Sequence, residues 1–275
     1  MQTEPAGTYT EVVFFNTTET VAALLIAGLA DRADGFEEAD MVLKAFFNTT
    51  RITREELDAV AGPLNIRYEM RELEPQNWNA LWESNFDPVV VDGFVAVRAS
   101  FHSPFENVEQ EIVINPKMSF GTGHHATTWL MMQQMRQIAF ADKQVFDFGT
   151  GTGILAILAE KLGAAQVLAT DLDEWSIANT LENIEVNHGS RISVLQSDSA
   201  VQGGIFDVIL ANINKNVLME TIPALKQQLA PDGVLLLSGL LAEDEAEIVG
   251  RAVESGLYMD GKVLKNNWLC MRFHV

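Results

Sequence analysis

The sequence has one cysteine, Cys270, and no long apolar segment. A single cysteine excludes a disulfide within the chain and a cysteine-rich metal site. The longest apolar run, residues 21–30, is about half as long as the roughly 20 residues that a bilayer span requires. Residues 1–10 lack the basic and apolar regions of a signal peptide. We therefore expect a cytoplasmic protein that does not associate with membranes.

Positive charge is also scarce. The chain carries 18 Lys and Arg against 38 Asp and Glu, which gives a formal net charge of −20. Such a surface repels the phosphate backbone of nucleic acids and anionic lipids, so direct nucleic-acid binding is not expected. The hydrophobic content of 48% is that of an ordinary globular protein rather than a disordered one.

The first 75 residues have the pattern of a small α+β domain. Helix-like segments separate strand-like ones, and the second helix opens with a Thr-x-x-Glu capping box. The order β-α-β(β)-α-β predicts a ferredoxin-like sandwich. The expected strands are 8–15, 36–47 (one strand, or two strands if the chain bends at 38–40) and 66–73, and the expected helices are 18–32 and 53–64.

Residues 76–92 are expected to form a linker in which Trp78 and Trp82, four residues apart, pack against a core. Residues 93–275 form the second predicted domain. Its continuous apolar strands alternate with helices, which predicts a doubly wound, mostly parallel sheet covered on both faces. An antiparallel hairpin is expected at 257–275. The other expected strands are 94–101, 111–114, 144–149, 166–171, 192–197, 206–212 and 233–239, and the helices are 153–162, 174–187, 215–229 and 242–255.

A glycine-rich turn follows the strand at 144–149. Gly149, Gly151 and Gly153 have the spacing Gly-x-Gly-x-Gly, and Asp147 precedes them. Dinucleotide-binding turns instead have Gly-x-Gly-x-x-Gly, because their third glycine lies one helical turn further on. The spacing observed here is that of class I methyltransferases, which bind S-adenosylmethionine, and it disfavours a nicotinamide-dependent oxidoreductase.

Three more strand ends carry polar residues, and in an open α/β sheet such ends meet at one edge, where ligands bind. Asp171 is expected to accept hydrogen bonds from the two ribose hydroxyls, or else to cap the next helix. Asp198 is placed to meet the adenine edge, or is a solvated turn residue. Asn212 lies where methyltransferases place the group that faces the transferred methyl.

The segments "FGTGHHATT" (120–128), "VFDFGTGTGILAI" and "LANI" resemble the PrmA family of methyltransferases, which modify protein L11 of the large ribosomal subunit. The resemblance implies that residues 120–123 close over the cofactor and that domain 1–75 recognises the protein substrate. It also implies S-adenosylmethionine contacts from Thr128 and Asn212. Motifs and resemblance together give this expected cofactor-binding set: Phe120, Gly121, Thr122, Gly123, Thr128, Asp147, Gly149, Gly151, Gly153, Asp171, Leu172, Asp198 and Asn212.

The acceptor is expected to be an aliphatic amine. Enzymes that methylate planar amides or bases have an aromatic ring in an Asn-Pro-Pro-Tyr motif, whereas here Asn212 is followed by Ile213 and Asn214. The predicted function is methylation of L11 amino groups, with Asn212 orienting the amine. The alternatives are a class I methyltransferase for another protein or small amine, and a non-catalytic cofactor-fold protein. Adjacent His124 and His125 do not share a face, so we expect loop-shaping hydrogen bonds rather than a metal.

Overall fold

The chain forms two compact units, Met1–Asn85 and Phe86–Val275. The computed structural model describes residues 9–30, 32–39, 41–48, 52–73, 87–115 and 121–275. Most of the expected linker, including Trp78 and Trp82, lies outside these residues. Within these ranges, no helix combines the length and the apolar character needed to cross a membrane.

The first unit is an antiparallel four-stranded sheet with helices in the ferredoxin-like order that its sequence predicts. The strands are arranged β2-β3-β1-β4 across the sheet, and both helices share one apolar cluster with it. Helix α2 begins with the expected capping box, in which the Thr53 amide donates to Glu56 Oε2 at 2.8 Å. The elements are β1 Tyr9–Phe15, α1 Glu19–Leu29, β2 Gly35–Ala39, β3 Val42–Asn48, α2 Arg54–Ala61 and β4 Tyr68–Leu73.

The second unit is built on a seven-stranded sheet in the order β10-β9-β8-β11-β12-β14-β13. Neighbouring strands from β10 to β12 are parallel, and β14 inserts antiparallel between β12 and β13. The sheet strands are β8 Gln144–Phe148, β9 Gln166–Asp171, β10 Ile192–Gln196, β11 Phe206–Asn212, β12 Leu229–Leu241, β13 Tyr258–Lys265 and β14 Trp268–His274. The helices are α3 Ala126–Met135, α4 Ile154–Lys161, α5 Glu174–Val186, α6 Lys215–Gln227 and α7 Glu245–Glu254.

A second, three-stranded sheet in this unit contains β5 Val89–Val91, β6 Val95–Ala99 and β7 Gln110–Ile114. Strand β5 lies inside the stretch 76–92 that the sequence assigns to the linker. Its three valines are too short a run to show a period of two, but they pair antiparallel with β6 and place buried Val91 in the core of the unit.

The large sheet has an apolar cluster on each face because successive residues of a strand point to opposite sides. In β11, Val208 and Leu210 belong to one cluster, and Ile209 and Ala211 belong to the other. Helices α3 and α4 pack into the first cluster, whereas α6 and α7 pack into the second. Burial on both faces explains why these strands are continuous apolar runs.

Candidate functional site

A cavity of ≈ 690 Å³ lies at the carboxyl ends of the parallel strands, where β8 and β11 meet and the strand order reverses. Ligands of open α/β sheets bind at this topological switch point, and the volume suits a small organic molecule. The cavity is lined by His125, Thr127, Phe148, Gly149, Gly151, Asp171, Leu172, Asp173, Ser176, Ser197, Asp198, Asn212, Ile213, Asn214, Val217, Glu220, Thr221, Gly239 and Trp268.

The glycine turn forms one wall of the cavity. Gly149, Gly151 and Gly153 have φ values of +76°, +59° and +81°, a region that side-chain-bearing residues rarely adopt. The amides of Gly149 and Thr150 donate to the Thr170 carbonyl at 2.9 Å and hold the turn against β9. Only the first two glycines line the cavity, because Gly153 packs against Thr180 of α5.

Asp171 ends β9 and supports the same wall. Its Oδ2 accepts a hydrogen bond from the Gly151 amide at 2.9 Å, and its Oδ1 accepts one from the Asp173 amide at 3.0 Å. The cap of α5 is Asp173, whose carboxylate accepts from the Trp175 and Ser176 amides. Asp171 therefore does not cap the helix, and its carboxylate lies at the cavity next to the glycine turn.

The ends of β9 and β10 bring further predicted residues to the cavity. Leu172 and Asp198 both line it, together with Ser197. The Ser197 amide donates to the Asp171 carbonyl at 2.9 Å, so the loop after β10 is held beside the end of β9. The structure thus places Asp198 on the cavity wall, as the position of its strand end predicts.

Asn212 ends β11, and only the nitrogen of its side-chain amide is hydrogen-bonded. Its Nδ2 donates to Thr128 Oγ1 at 3.2 Å, whereas its Oδ1 is buried without a hydrogen-bond partner among the described residues. Thr128 is fully buried and does not line the cavity. Thr128 thus holds the Asn212 amide from behind the cavity wall, and the cofactor contact that the resemblance implies for it stays a prediction.

The structure brings to the cavity further residues that do not belong to the expected cofactor-binding set. His125 caps α3 through its Nδ1, which accepts from the Thr127 amide, and its ring meets Trp268 edge-on with 4.5 Å between centroids. Both residues and Thr127 line the cavity. Trp268 starts the last strand, about 140 residues from His125 along the chain, and no local pattern marks it as a site residue.

Gly239 also lines the cavity and is placed there by a close approach of two backbones. It has φ +87°, and a Cβ at this position would overlap the carbonyl group of Ile213. The Ile213 amide donates to the Ser238 carbonyl, so β11 and β12 stay paired just beyond Asn212. A side chain at Gly239 would therefore push on the residue next to Asn212.

The segment that carries the two histidines is shaped by hydrogen bonds. His124 bonds through Nε2 to the Asp87 carbonyl at 2.8 Å and through Nδ1 to Thr122 Oγ1 at 3.1 Å. Gly121, Thr122 and Gly123 do not line the cavity, and Phe120 lies outside the described residues. In the parts of the chain that are described, no group of three or more His, Cys, Asp or Glu could hold a metal ion.

Asp147 lies beneath the glycine turn rather than in the cavity. It is fully buried, and Thr150 Oγ1 donates to its Oδ2 at 2.6 Å. Burial raises the pKa of Asp147 from 3.8 to about 7, and the nearby Asp171 carboxylate also acts to raise it. Asp147 thus contacts the glycine turn from below, through Thr150.

This raised pKa predicts a pH-dependent stability. The folded state holds a proton on Asp147 that the unfolded state loses near pH 3.8, so the free energy of unfolding falls as pH rises towards about 7. Asp147→Asn removes the titration and keeps an acceptor for Thr150. The variant should gain about 2 to 3 kcal/mol relative to the parent between about pH 5 and about pH 8. Denaturant unfolding across this range measures the difference, and a constant difference would contradict the assignment.

The charges that line the cavity favour a cationic ligand. Asp171, Asp173, Asp198 and Glu220 contribute four carboxylates, and the described lining contains no Lys or Arg. S-adenosylmethionine fits these residues: its sulfonium is cationic, its ribose hydroxyls match a strand-end carboxylate, and glycine backbone allows close approach.

The sheet order, the glycine turn after β8 and the carboxylate that ends β9 define a class I S-adenosylmethionine-dependent methyltransferase. The crystal structure of a ribosomal protein L11 methylase from Lactobacillus delbrueckii subsp. bulgaricus is similar, with a TM-score of 0.63 and 30% sequence identity over 68% of this chain and 98% of that chain. The chain belongs to the ribosomal protein L11 methyltransferase (PrmA) family, whose model matches residues 18–275.

Two relatives that share the family name match almost end to end. The ribosomal protein L11 methyltransferase of Porphyromonas gingivalis is 38% identical over 266 residues, which cover 94% of this chain and 92% of that protein. The protein of the same name from Bacteroides thetaiotaomicron is 37% identical over 276 residues, which cover 96% of this chain and 99% of that protein. The similarity therefore includes the N-terminal unit as well as the methyltransferase unit.

Proposed function

We propose that this protein transfers methyl groups from S-adenosylmethionine to amino groups of ribosomal protein L11, namely lysine side chains and the N-terminal amine. Family membership over residues 18–275 carries this proposal, and the relatives' shared name supports the choice of L11. The cavity supports an amine acceptor because Asn212, which lines it, offers an unpaired oxygen that can accept a hydrogen bond from an amine N–H.

The bound cofactor supplies an electrophilic methyl on a sulfonium centre. In the proposed arrangement, Asp171 binds the ribose hydroxyls and Asp198 binds the adenine edge, while the Gly149 and Gly151 backbone gives room for the amino-acid part. These roles place the cofactor across the carboxyl ends of β8, β9 and β10. Asn212, at the end of β11, then lies beside the reacting end of the cavity.

The acceptor must reach this end as a neutral amine, because a lysine ammonium, with a pKa of about 10.4, has no free electron pair. Burial in the cavity lowers the amine pKa and lets water take the proton. We propose that Asn212 Oδ1 accepts a hydrogen bond from the amine. This bond would orient the lone pair of the amine nitrogen towards the methyl group. Thr128 keeps the Asn212 amide in this orientation through the 3.2 Å hydrogen bond to Nδ2. His125, Thr127 and Trp268 line the same cavity and are proposed to form the wall beside the amine.

The N-terminal unit, which contains the predicted recognition domain 1–75, is proposed to recognise the protein substrate. Residues 1–88 contain 16 acidic and 6 basic residues. Ribosomal proteins bind anionic RNA and are rich in Lys and Arg, so opposite charges attract the two proteins.

This attraction predicts a salt-dependent reaction. The KM for L11 should rise several-fold between about 0.02 M and about 0.2 M ionic strength, because screening shortens the range of the attraction. The kcat should change little, because at saturating L11 the attraction that brings the two proteins together no longer limits the rate. Initial rates at several salt concentrations measure both constants. A KM that is indifferent to salt would exclude electrostatic recognition by this unit.

The identity of the acceptor is tested by incubating the purified protein with unmodified large-subunit proteins and S-adenosylmethionine that carries an isotope-labelled methyl group. Label confined to L11, on lysine and N-terminal amino groups, is the expected result. Label on another protein, or on small amines alone, would favour a different substrate for the same chemistry. An absence of transfer together with an absence of S-adenosylhomocysteine binding would favour a non-catalytic protein.

A further inference from the structure

Thr152, in the middle of the glycine turn, links this turn to the segment that precedes α3. Its side chain is fully buried, and its Oγ1 donates to the Gly121 carbonyl at 2.6 Å. The bond joins residues 31 apart in the chain. Neither residue is among those that line the cavity.

Asn183 of α5 makes a second connection to the same residue. Its Nδ2 donates to the Thr152 carbonyl at 2.8 Å, and its Oδ1 accepts from the Asn115 amide at 2.8 Å. Asn183 is fully buried, so both bonds lie away from water, where an unpaired amide or carbonyl would be costly. Thr152 is thus linked directly to Gly121 and, through Asn183, to Asn115 at the end of β7.

Gly121 leads directly to the acceptor wall, which is the wall of His125 and Thr127 where the amine is proposed to bind. In the residues that follow, the side chains of Thr122 and His124 are hydrogen-bonded to each other. The segment then continues to His125, which caps α3, and to Thr127, which lines the cavity. The cofactor wall of Gly149, Gly151 and Asp171 is held by other bonds, from Thr170 and within the turn itself. The two walls therefore have separate supports that meet at Thr152.

We propose that Thr152 and Asn183 are positioning residues that fix the wall of His125 and Thr127 relative to the glycine turn, and so set the rate of methyl transfer rather than the affinity for the cofactor. The effect on rate rests on the proposed function, whereas the position of the wall depends only on contacts within the chain. A misplacement of about 1 Å of a wall that aligns the reactants can lower a rate by about 100-fold.

The chain provides a matched control. Thr180 is also a fully buried threonine, and its Oγ1 also donates to a carbonyl of the turn, that of Gly151, at 2.8 Å. Gly151 belongs to the cofactor wall, whereas Gly121 leads to the acceptor wall. Replacing either threonine by valine keeps the shape of the side chain and removes one equivalent hydrogen bond.

The test compares Thr152→Val, Thr152→Ser and Thr180→Val. For Thr152→Val we expect kcat to fall about 10- to 100-fold, with an unchanged Kd for S-adenosylhomocysteine, and Thr152→Ser should restore most of the rate. Thr180→Val should instead weaken S-adenosylhomocysteine binding. If Thr152→Val weakens S-adenosylhomocysteine binding in proportion to its loss of kcat, the hydroxyl supports only the glycine turn, and the proposal is wrong.

Hydrogen exchange provides a readout that does not depend on the acceptor. Thr152→Val should speed amide exchange in residues 121–127 and leave residues 166–171 unchanged, because only the acceptor wall loses a support. This result would stand even if L11 were not methylated, which separates failure of the proposal from failure of the proposed function. Unchanged exchange in 121–127 would overturn it. The proposal about Thr152 would also be wrong if Thr152→Val and Thr152→Ala both unfolded while Thr180→Val stayed folded. The Thr152 hydroxyl would then be required for folding rather than for the position of the wall.

Discussion

Replacing Asp171 with alanine should weaken S-adenosylhomocysteine binding by at least about 100-fold. In the proposed complex the carboxylate accepts charge-assisted hydrogen bonds from the ribose hydroxyls, each worth about 1.5 to 3 kcal/mol. The substitution also removes the acceptor of the Gly151 and Asp173 amides, so the glycine turn loses its support. Isothermal titration calorimetry with the purified variant measures the change in Kd.

Asp207 provides the control for this substitution. It lies at the opposite end of the sheet, where its carboxylate accepts from the Gln144 amide at 2.9 Å and pairs with Lys143 at 3.0 Å. Asp207→Ala therefore also removes a strand-end carboxylate that binds a backbone amide, but away from the cavity. It should lower stability and leave Kd unchanged. Equal losses of affinity in both variants, or none in Asp171→Ala, would contradict the assigned cofactor site.

Replacing Asn212 with alanine should lower kcat about 100-fold and change the Kd for S-adenosylhomocysteine much less. The amide is proposed to orient the attacking amine, and an amine that is free to rotate spends little time in line with the methyl group. The glycine turn and Asp171 stay intact in this variant, so the cofactor should still bind. Single-turnover kinetics with L11, together with calorimetry, separates the two effects.

Asn214 is the matched control for Asn212. It also lines the cavity, but its Oδ1 is used as the cap of α6, where it accepts from the Val217 amide at 3.2 Å. Asn214→Ala should cost about 1 kcal/mol of stability through loss of the cap and leave kcat nearly unchanged. Comparable losses of kcat in both variants would mean that the amide of Asn212 has no special part in the reaction.

The parts of this site that the sequence predicts are those that follow directly from strand ends. Parallel strands place Gly149, Asp171, Asp198 and Asn212 at one edge whatever the details of packing. The spacing of the glycines then distinguishes the cofactor class. The same logic predicts the ferredoxin-like order of the first unit and the antiparallel hairpin at the end of the chain, because each rests on local periodicity and turn residues.

The parts that the sequence does not predict depend on contacts between distant segments. Trp268 joins His125 only because β14 inserts between β12 and β13. Thr128 differs from Thr127 by one position on a helix, and only the packing of α3 decides which of the two faces the cavity. Gly239 is explained by the close approach of the Ile213 backbone, which directly follows the neighbouring strand β11.

The central claim is methylation of L11 amino groups in this cavity, and the mass of L11 tests it most directly. L11 from cells that lack this chain should be lighter by whole methyl groups than L11 from cells that contain it. Incubation with the purified protein and S-adenosylmethionine should restore the mass, and Asp171→Ala should fail to do so under the same conditions. An L11 mass that is identical with and without the chain, and unchanged by incubation, would contradict the account.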